Sequence, residues 1–300
     1  MKKIFILIFC LIPFSTSFAT LNVLTCEPEW MSLAKEIGGD KLSVQSATTG
    51  LQDPHRIEAR PSLLAKARNA DLLICTGADL EIGWLPLLIR KSGNKNIQMS
   101  ADGYFMATDY ALLLEKPEVL DRSEGDIHAP GNPHIQMDPH RLLDVAEALT
   151  ERLKIIDTEN SAFYQQNFNE FRQDWKSAIK IWEEKAAPLR GMKVITYHRS
   201  WIYLQDWLGL ILIATIEPKP GVPPSSGYLA NLVKRANNDQ VSRIIHAAYT
   251  NPKSSQWLSE RTDIPVSKLP YTVGGSETVN NLFDLYNETL RILLGESNGN

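Results

Sequence analysis

Six histidines occur in the 300 residues, and three of them occupy similar settings. His55 lies in Gln52-Asp53-Pro54-His55-Arg56-Ile57-Glu58-Ala59-Arg60-Pro61, a proline-bounded loop leading into a helical stretch from Leu63. His134 lies in Gly131-Asn132-Pro133-His134-Ile135-Gln136-Met137-Asp138-Pro139, again a turn before a helix. His198 follows the apolar run Val194-Ile195-Thr196-Tyr197, and Arg199-Ser200-Trp201 opens the next helix. Open α/β sheets place ligands at such strand-to-helix and loop-to-helix junctions. A lone histidine there usually caps a helix or makes a hydrogen bond. Three of six, spread over both halves of the chain, point instead to one shared metal site. Neutral imidazole suits Zn(II), whereas Mn(II) sites lean on oxygen donors, so three histidines favour zinc and leave room for manganese.

The elements that must position these residues follow from hydrophobic periodicity. Short apolar runs read as strands at Asn22–Cys26, Leu42–Ala47, Leu72–Thr76, Lys193–Tyr197, Leu210–Ile216, Arg243–Ala248 and Pro265–Leu269, alternating with helical stretches. That alternation predicts an α/β fold with parallel sheets. The strands fall into two groups with none between Pro139 and Pro188, where Tyr164, Phe168, Phe171, Trp175, Ala178 and Trp182 recur at steps of three and four. This is helical spacing sustained for about five turns, and it predicts one long helix bridging two lobes. The expected divisions are a leader at 1–19, an N-terminal lobe at 20–158, the bridging helix at 159–188 and a C-terminal lobe at 189–300.

The leader is an address, not a fold element. Lys2 and Lys3 precede the apolar stretch Ile4 to Pro13, and Ser17-Phe18-Ala19 supplies small residues for cleavage after Ala19. The apolar run is too short to span roughly 30 Å of hydrocarbon. Phe9 does not suit the small-residue site that lipoproteins use before their modified cysteine, so Cys10 is not read as an anchor. The expectation is a free, soluble, periplasmic monomer. Loss of Lys2 and Lys3 with the leader leaves 29 basic against 35 acidic side chains. That balance and the lack of long charge runs exclude a broad nucleic-acid surface. Cys26 and Cys75 then remain, each where a strand ends, and an oxidised pair or two buried thiols both fit.

The ordered set of motifs, Asp53-Pro54-His55 with Glu58 and Pro61, Pro133-His134 with Asp138-Pro139, and His198 through Tyr203-Leu204 to Leu208-Gly209-Leu210, resembles the zinc and manganese solute-binding proteins of bacterial ABC transporters. The resemblance covers most of the mature chain. It implies two Rossmann-like lobes joined by a rigid helix, a metal in the cleft, and an ABC-type membrane permease as partner. It implies His55 and His134 as ligands from the N-terminal lobe and His198 as a ligand from the C-terminal lobe. Asp53 and Asp138 each precede a proline in a turn, so they either accept an imidazole proton or cap a helix.

The chain departs from that family in three places. Many relatives place an aspartate ligand after the last strand, but Lys268 to Glu277 lacks it at the expected point, which leaves Glu58, Glu277 or water as fourth ligand. A long His- and acid-rich loop is also missing. Asp121 to His128 stands in its place, either as a small collecting arm using Asp126 and His128 or as a plain solvated loop. Glu217-Pro218-Lys219-Pro220-Gly221-Val222-Pro223-Pro224 is a stiff stretch with no role assigned from sequence, and His140 and His246 read as structural. Three function classes are compatible with a three-histidine site: a metal-capture protein serving a permease, a binding protein or adhesin for a larger ligand or metal chelate, and a secreted zinc hydrolase. The hydrolase lacks support from sequence, because HExxH, GxSxG and the His-x-Glu with Pro-Cys-x-x-Cys pattern are all absent.

Overall fold

The computed structural model describes residues 20–118, 125 and 128–296. The leader, with Cys10, and Asp126 lie outside the described residues. Leucine-rich and β-branched runs form two four-stranded, wholly parallel sheets. The N-terminal sheet holds β1 (Leu21–Thr25), β2 (Leu42–Ser46), β3 (Leu72–Cys75) and β4 (Tyr104–Met106) in the order β2-β1-β3-β4. The C-terminal sheet holds β5 (Lys193–Thr196), β6 (Ile211–Thr215), β7 (Arg243–Ala247) and β8 (Val266–Leu269) in the equivalent order β6-β5-β7-β8. All seven strands expected from sequence are present. β4 is the addition, because three residues at a sheet edge are too few to display an alternating pattern.

Both faces of each sheet are buried, as parallel sheets require. Alternate residues therefore enter different cores. Val23, Leu72, Ile74 and Phe105 face a central core, while Leu24, Cys26, Leu73, Cys75 and Met106 face an outer one. In the second lobe Val194, Ile245, Ala247 and Leu269 join the same central core, and Ile195, Ala214 and Ile244 form a separate outer cluster. One continuous apolar body thus runs through both lobes.

Its middle is the long helix. Numbering helices in chain order, α1 is Pro28–Gly38, α2 Pro61–Arg68, α3 Leu85–Ser92, α4 Pro139–Ile156, α5 Ser161–Ala186, α6 Ile202–Leu208, α7 Ser226–Asn238, α8 Lys253–Thr262 and α9 Leu282–Leu294. The 26-residue α5 buries Tyr164, Phe168, Phe171, Trp175, Ile179, Trp182 and Ala186. The stripe passes through Ile179 instead of the half-buried Ala178, because a straight helix of 3.6 residues per turn drifts from a strict heptad. α5 packs on α1 and α4 at one side and α9 at the other. Trp175 is the keystone: its ring stacks on Phe171, meets Trp182, Phe283 and Tyr286 edge-on, and donates from Nε1 to Pro139 O at 2.8 Å.

Polar contacts add to the fixed placement of the lobes. Tyr286 Oη donates to Gln136 O at 2.7 Å, and Thr272 Oγ1 donates to the buried Glu29. Gly50 runs so close to Gly274 and Gly275 that a Cβ on it would lie 2.3 Å from the Gly274 carbonyl carbon. Only a residue without a side chain permits that approach. At the ends of β1 and β3, Cys26 and Cys75 form a fully buried disulfide with Cα atoms 4.7 Å apart, which decides between the two readings of these thiols. Among the described residues no helix is long and apolar enough to cross a membrane. Trp175→Ala should cost about 3–5 kcal/mol of folding stability, since it leaves a large cavity between the lobes. Chemical denaturation with a single transition for both lobes measures it.

Candidate metal centre

His55, His134 and His198 come together between the lobes, each delivered by a loop. The His55 loop joins β2 to α2 and is pinned where Trp84 Nε1 donates to Pro54 O at 2.8 Å. His134 precedes a short 3-10 turn (Ile135–Met137), after which Asp138 caps α4 by accepting from His140 N–H at 2.8 Å. Asp138 also pairs with Arg141, so its role is the helix cap and not an imidazole. His198 stands just beyond β5, its carbonyl accepting from Thr196 Oγ1 at 2.8 Å.

One ring nitrogen from each of the three lies within 4.8 Å of those of the other two. Ring centroids are 5.4 Å apart for His55 and His134, 5.8 Å for His55 and His198, and 5.7 Å for His134 and His198. Each Nδ1 is engaged by a different partner. Asp53 Oδ1 holds His55 at 2.9 Å, Tyr271 Oη holds His134 at 2.6 Å, and Glu217 Oε2 holds His198 at 2.7 Å. The tautomer with the proton on Nδ1 satisfies these contacts and turns the Nε2 lone pair inward. His55 Nε2 and His134 Nε2 are buried with no hydrogen-bond partner. A buried imidazole nitrogen without a partner is costly unless something else fills its lone pair.

Electrostatics keep the site ready for a cation. Burial, with the charges of His55, His198 and His128 added, pushes the His134 imidazole well below its ordinary value, so it stays neutral. Burial raises Asp53, but the hydrogen bond and charge of His55 outweigh it and the carboxyl ends below its usual range. Clefts of about 210 and 280 Å³ flank the cluster: one is lined by His128, Asn132, His134, His198 and Arg199, the other by Asp53, His55, His198, Glu217 and Tyr249. A bridge of side chains crosses the first. Asn132 Nδ2 donates to Arg199 O at 3.0 Å and to Glu115 Oε2 at 3.1 Å, while Arg199 pairs with Glu115.

Sequence reasoning missed two of these contributors and left a third open. Glu217 accepts from His198 and from Gly221 N–H at 3.1 Å, which gives the stiff Pro-rich stretch its role. Tyr271 occupies the segment where the family places an aspartate, and its hydroxyl meets His134 Nδ1 at 2.6 Å. His128, expected in a collecting arm or a solvated loop, has a buried Nε2 and a ring 5.4 Å from that of His55. Burial together with His55 and His198 lowers it to about 3. Glu58 and Glu277 are exposed and line neither cleft, so the structure does not bring those fourth-ligand candidates to the cluster. His140 pairs with Glu183 at the surface, and His246 is buried on β7. Cys26, Cys75 and Glu81 also cluster, but disulfide sulfurs are not thiolates and do not act as metal ligands.

Two parallel-sheet lobes, a helical spine between them and a histidine cluster in the cleft define a bilobal metal-binding protein. The chain matches the sequence profile of "ZnuA: Zinc-uptake complex component A periplasmic" over residues 23–294, and it belongs to that family. It is similar to the metal ABC transporter substrate-binding lipoprotein SloC of Streptococcus mutans, 21% identical over 262 residues, which cover 86% of this chain and 82% of that protein. Similarity to the manganese ABC transporter substrate-binding lipoprotein PsaA of Streptococcus pneumoniae is 22% over 260 residues, 84% of this chain and 80% of that one. A crystal structure of ZnuA superposes with a TM-score of 0.76 at 20% identity, covering 92% and 98% of the two chains, and shares the fold. The protein is therefore a solute-binding protein of the metal ABC transport class and not an enzyme.

Because Asp53 and Glu217 orient His55 and His198, Asp53→Ala and Glu217→Ala should each weaken metal binding by about 10- to 100-fold with little change in thermal stability. Competitive titration beside a melting curve separates the two effects.

Proposed function

We propose that the mature protein, released by cleavage after Ala19, acts as a periplasmic monomer that captures Zn(II) and delivers it to a cognate ABC permease. His55, His134 and His198 are its ligands. The observation that carries this reading is the triple pinning of Nδ1, which leaves three imidazole nitrogens converging within 4.8 Å. Imidazole donors favour zinc, while manganese sites draw on carboxylates, and here the carboxylates of Asp53 and Glu217 are occupied by histidine N–H groups. Membership of a zinc-uptake family supports the same ion, and the manganese transported with the similar PsaA is the competing one.

Replacing His55, His134 or His198 by Ala should cost several kcal/mol of zinc affinity, whereas His140→Ala and His246→Ala should cost little. Isothermal titration against a competing chelator measures this, and parent-like affinity in His198→Ala would remove the cross-lobe site. Repeating the titrations with manganese should give weaker binding by orders of magnitude.

Acid should weaken capture, since a protonated imidazole has no lone pair to give and free imidazole titrates near 6.5. The sign at His134 is set by burial: with its value lowered, it is already neutral where free imidazole is charged, and it yields no proton on binding. At about pH 5.5, titrations in buffers of differing ionisation enthalpy should count fewer than three protons released per zinc. A count of three would contradict a neutral His134.

A further inference from the structure

A fourth histidine stands beside the cluster. The ring of His128 lies 5.4 Å from that of His55 and 6.2 Å from that of His134. Its Nε2 is buried without a hydrogen-bond partner, the same condition as Nε2 of His55 and His134. It is not one of the three nitrogens within 4.8 Å, so it stands one step outside them. It lines the first cleft, between the two lobes, with His134, His198 and Arg199.

The support beneath His128 is built, and at a cost. Its side chain sits against the backbone of Ala78 and Asp79. Those residues belong to a run of three in the left-handed region, Gly77 at φ 84°, Ala78 at 46° and Asp79 at 65°. Two consecutive non-glycine residues there are strained, and such strain persists only where surrounding structure imposes it. Glu81 imposes it: its buried carboxylate accepts from Thr76 N–H at 2.8 Å and from Gly77 N–H at 3.1 Å. Gly77 cannot be exchanged, because a Cβ would fall 2.6 Å from Thr108 Oγ1. On the other side, the His128 carbonyl accepts from Gly131 N–H at 3.1 Å, closing a turn onto the His134 segment.

We propose that His128 is the fourth protein ligand, completing an all-imidazole tetrahedron around the ion with His55, His134 and His198. The inference rests on the three-histidine reading above and adds to it. A strained turn that fixes one imidazole beside three others serves coordination, whereas a solvated loop needs neither the strain nor the burial. Nitrogens of a tetrahedral zinc site stand about 3.3 Å apart, so the ring swings inward as the others contract. With no carboxylate bound to the ion, the site discriminates against manganese by ligand type.

X-ray absorption on the zinc-loaded full chain should show four imidazoles per zinc. His128→Ala and His128→Gln should show three with an oxygen donor, and zinc affinity should fall about 10- to 100-fold. His128→Asp should raise affinity for manganese relative to zinc by about tenfold or more. A three-imidazole spectrum of the unsubstituted protein would overturn the proposal, and so would parent-like zinc affinity in a folded His128→Ala. Should that variant not fold, the spectrum of the unsubstituted protein decides alone. His198→Ala, read in parallel, separates the two claims. If it loses zinc while His128→Ala does not, the three-histidine site stands and the fourth ligand falls. If it keeps parent affinity, the underlying site fails as well.

Discussion

Imidazoles from two lobes can share a space 4.8 Å across only if the lobes cannot drift by even a fraction of that distance. The structure depends on this positional tolerance. Helix α5 meets it by making the space between the lobes part of the hydrophobic interior, so that separating them would expose Trp175, Trp182, Tyr286 and their neighbours to water. Apolar burial is non-directional, however, and sets distance better than orientation. Orientation comes from the polar contacts that cross the same boundary: Tyr271 to His134, Asn132 to Arg199, and Tyr203, whose hydroxyl accepts from Leu114 N–H and donates to Asn132 O.

Those contacts also explain how a buried, cation-seeking site exists without collapsing. Imidazoles drawn into this cleft, His134 fully and His55 and His198 in part, would lose water without compensation if each had two free nitrogens. Tying down one nitrogen per ring with Asp53, Tyr271 or Glu217 halves that penalty and removes rotational freedom in the same step. The tyrosine differs from the two carboxylates in a useful way. Burial holds its hydroxyl well above the ordinary range, so it remains neutral and adds no negative charge beside His134.

The sheets, the spine and the three histidines were legible because each leaves a local trace. Parallel strands buried on both faces appear as apolar runs, a core-facing helix repeats every three to four residues, and histidines at strand ends sit beside proline or a helix start. What was not legible depends on contacts distant in sequence. Tyr271 lies 137 residues from His134, and nothing near either residue marks the pair. Glu217 opens a proline-rich stretch to which the sequence assigns no role, because its partner is fixed by the register of β5 against β6. The left-handed turn at Ala78 and Asp79 carries no signature, because neither residue type favours it as glycine would. It exists because Glu81 compels it.

The disulfide has a bearing on the cargo as well as on the fold. With their bond open, Cys26 and Cys75 beside Glu81 would present two sulfurs and a carboxylate in one buried pocket, softer donors than any imidazole and attractive to the same ion. Oxidation withdraws that internal competitor. The closed disulfide therefore does chemical housekeeping: among the described residues it leaves the histidine cluster as the one grouping of donors that a borderline metal ion can use.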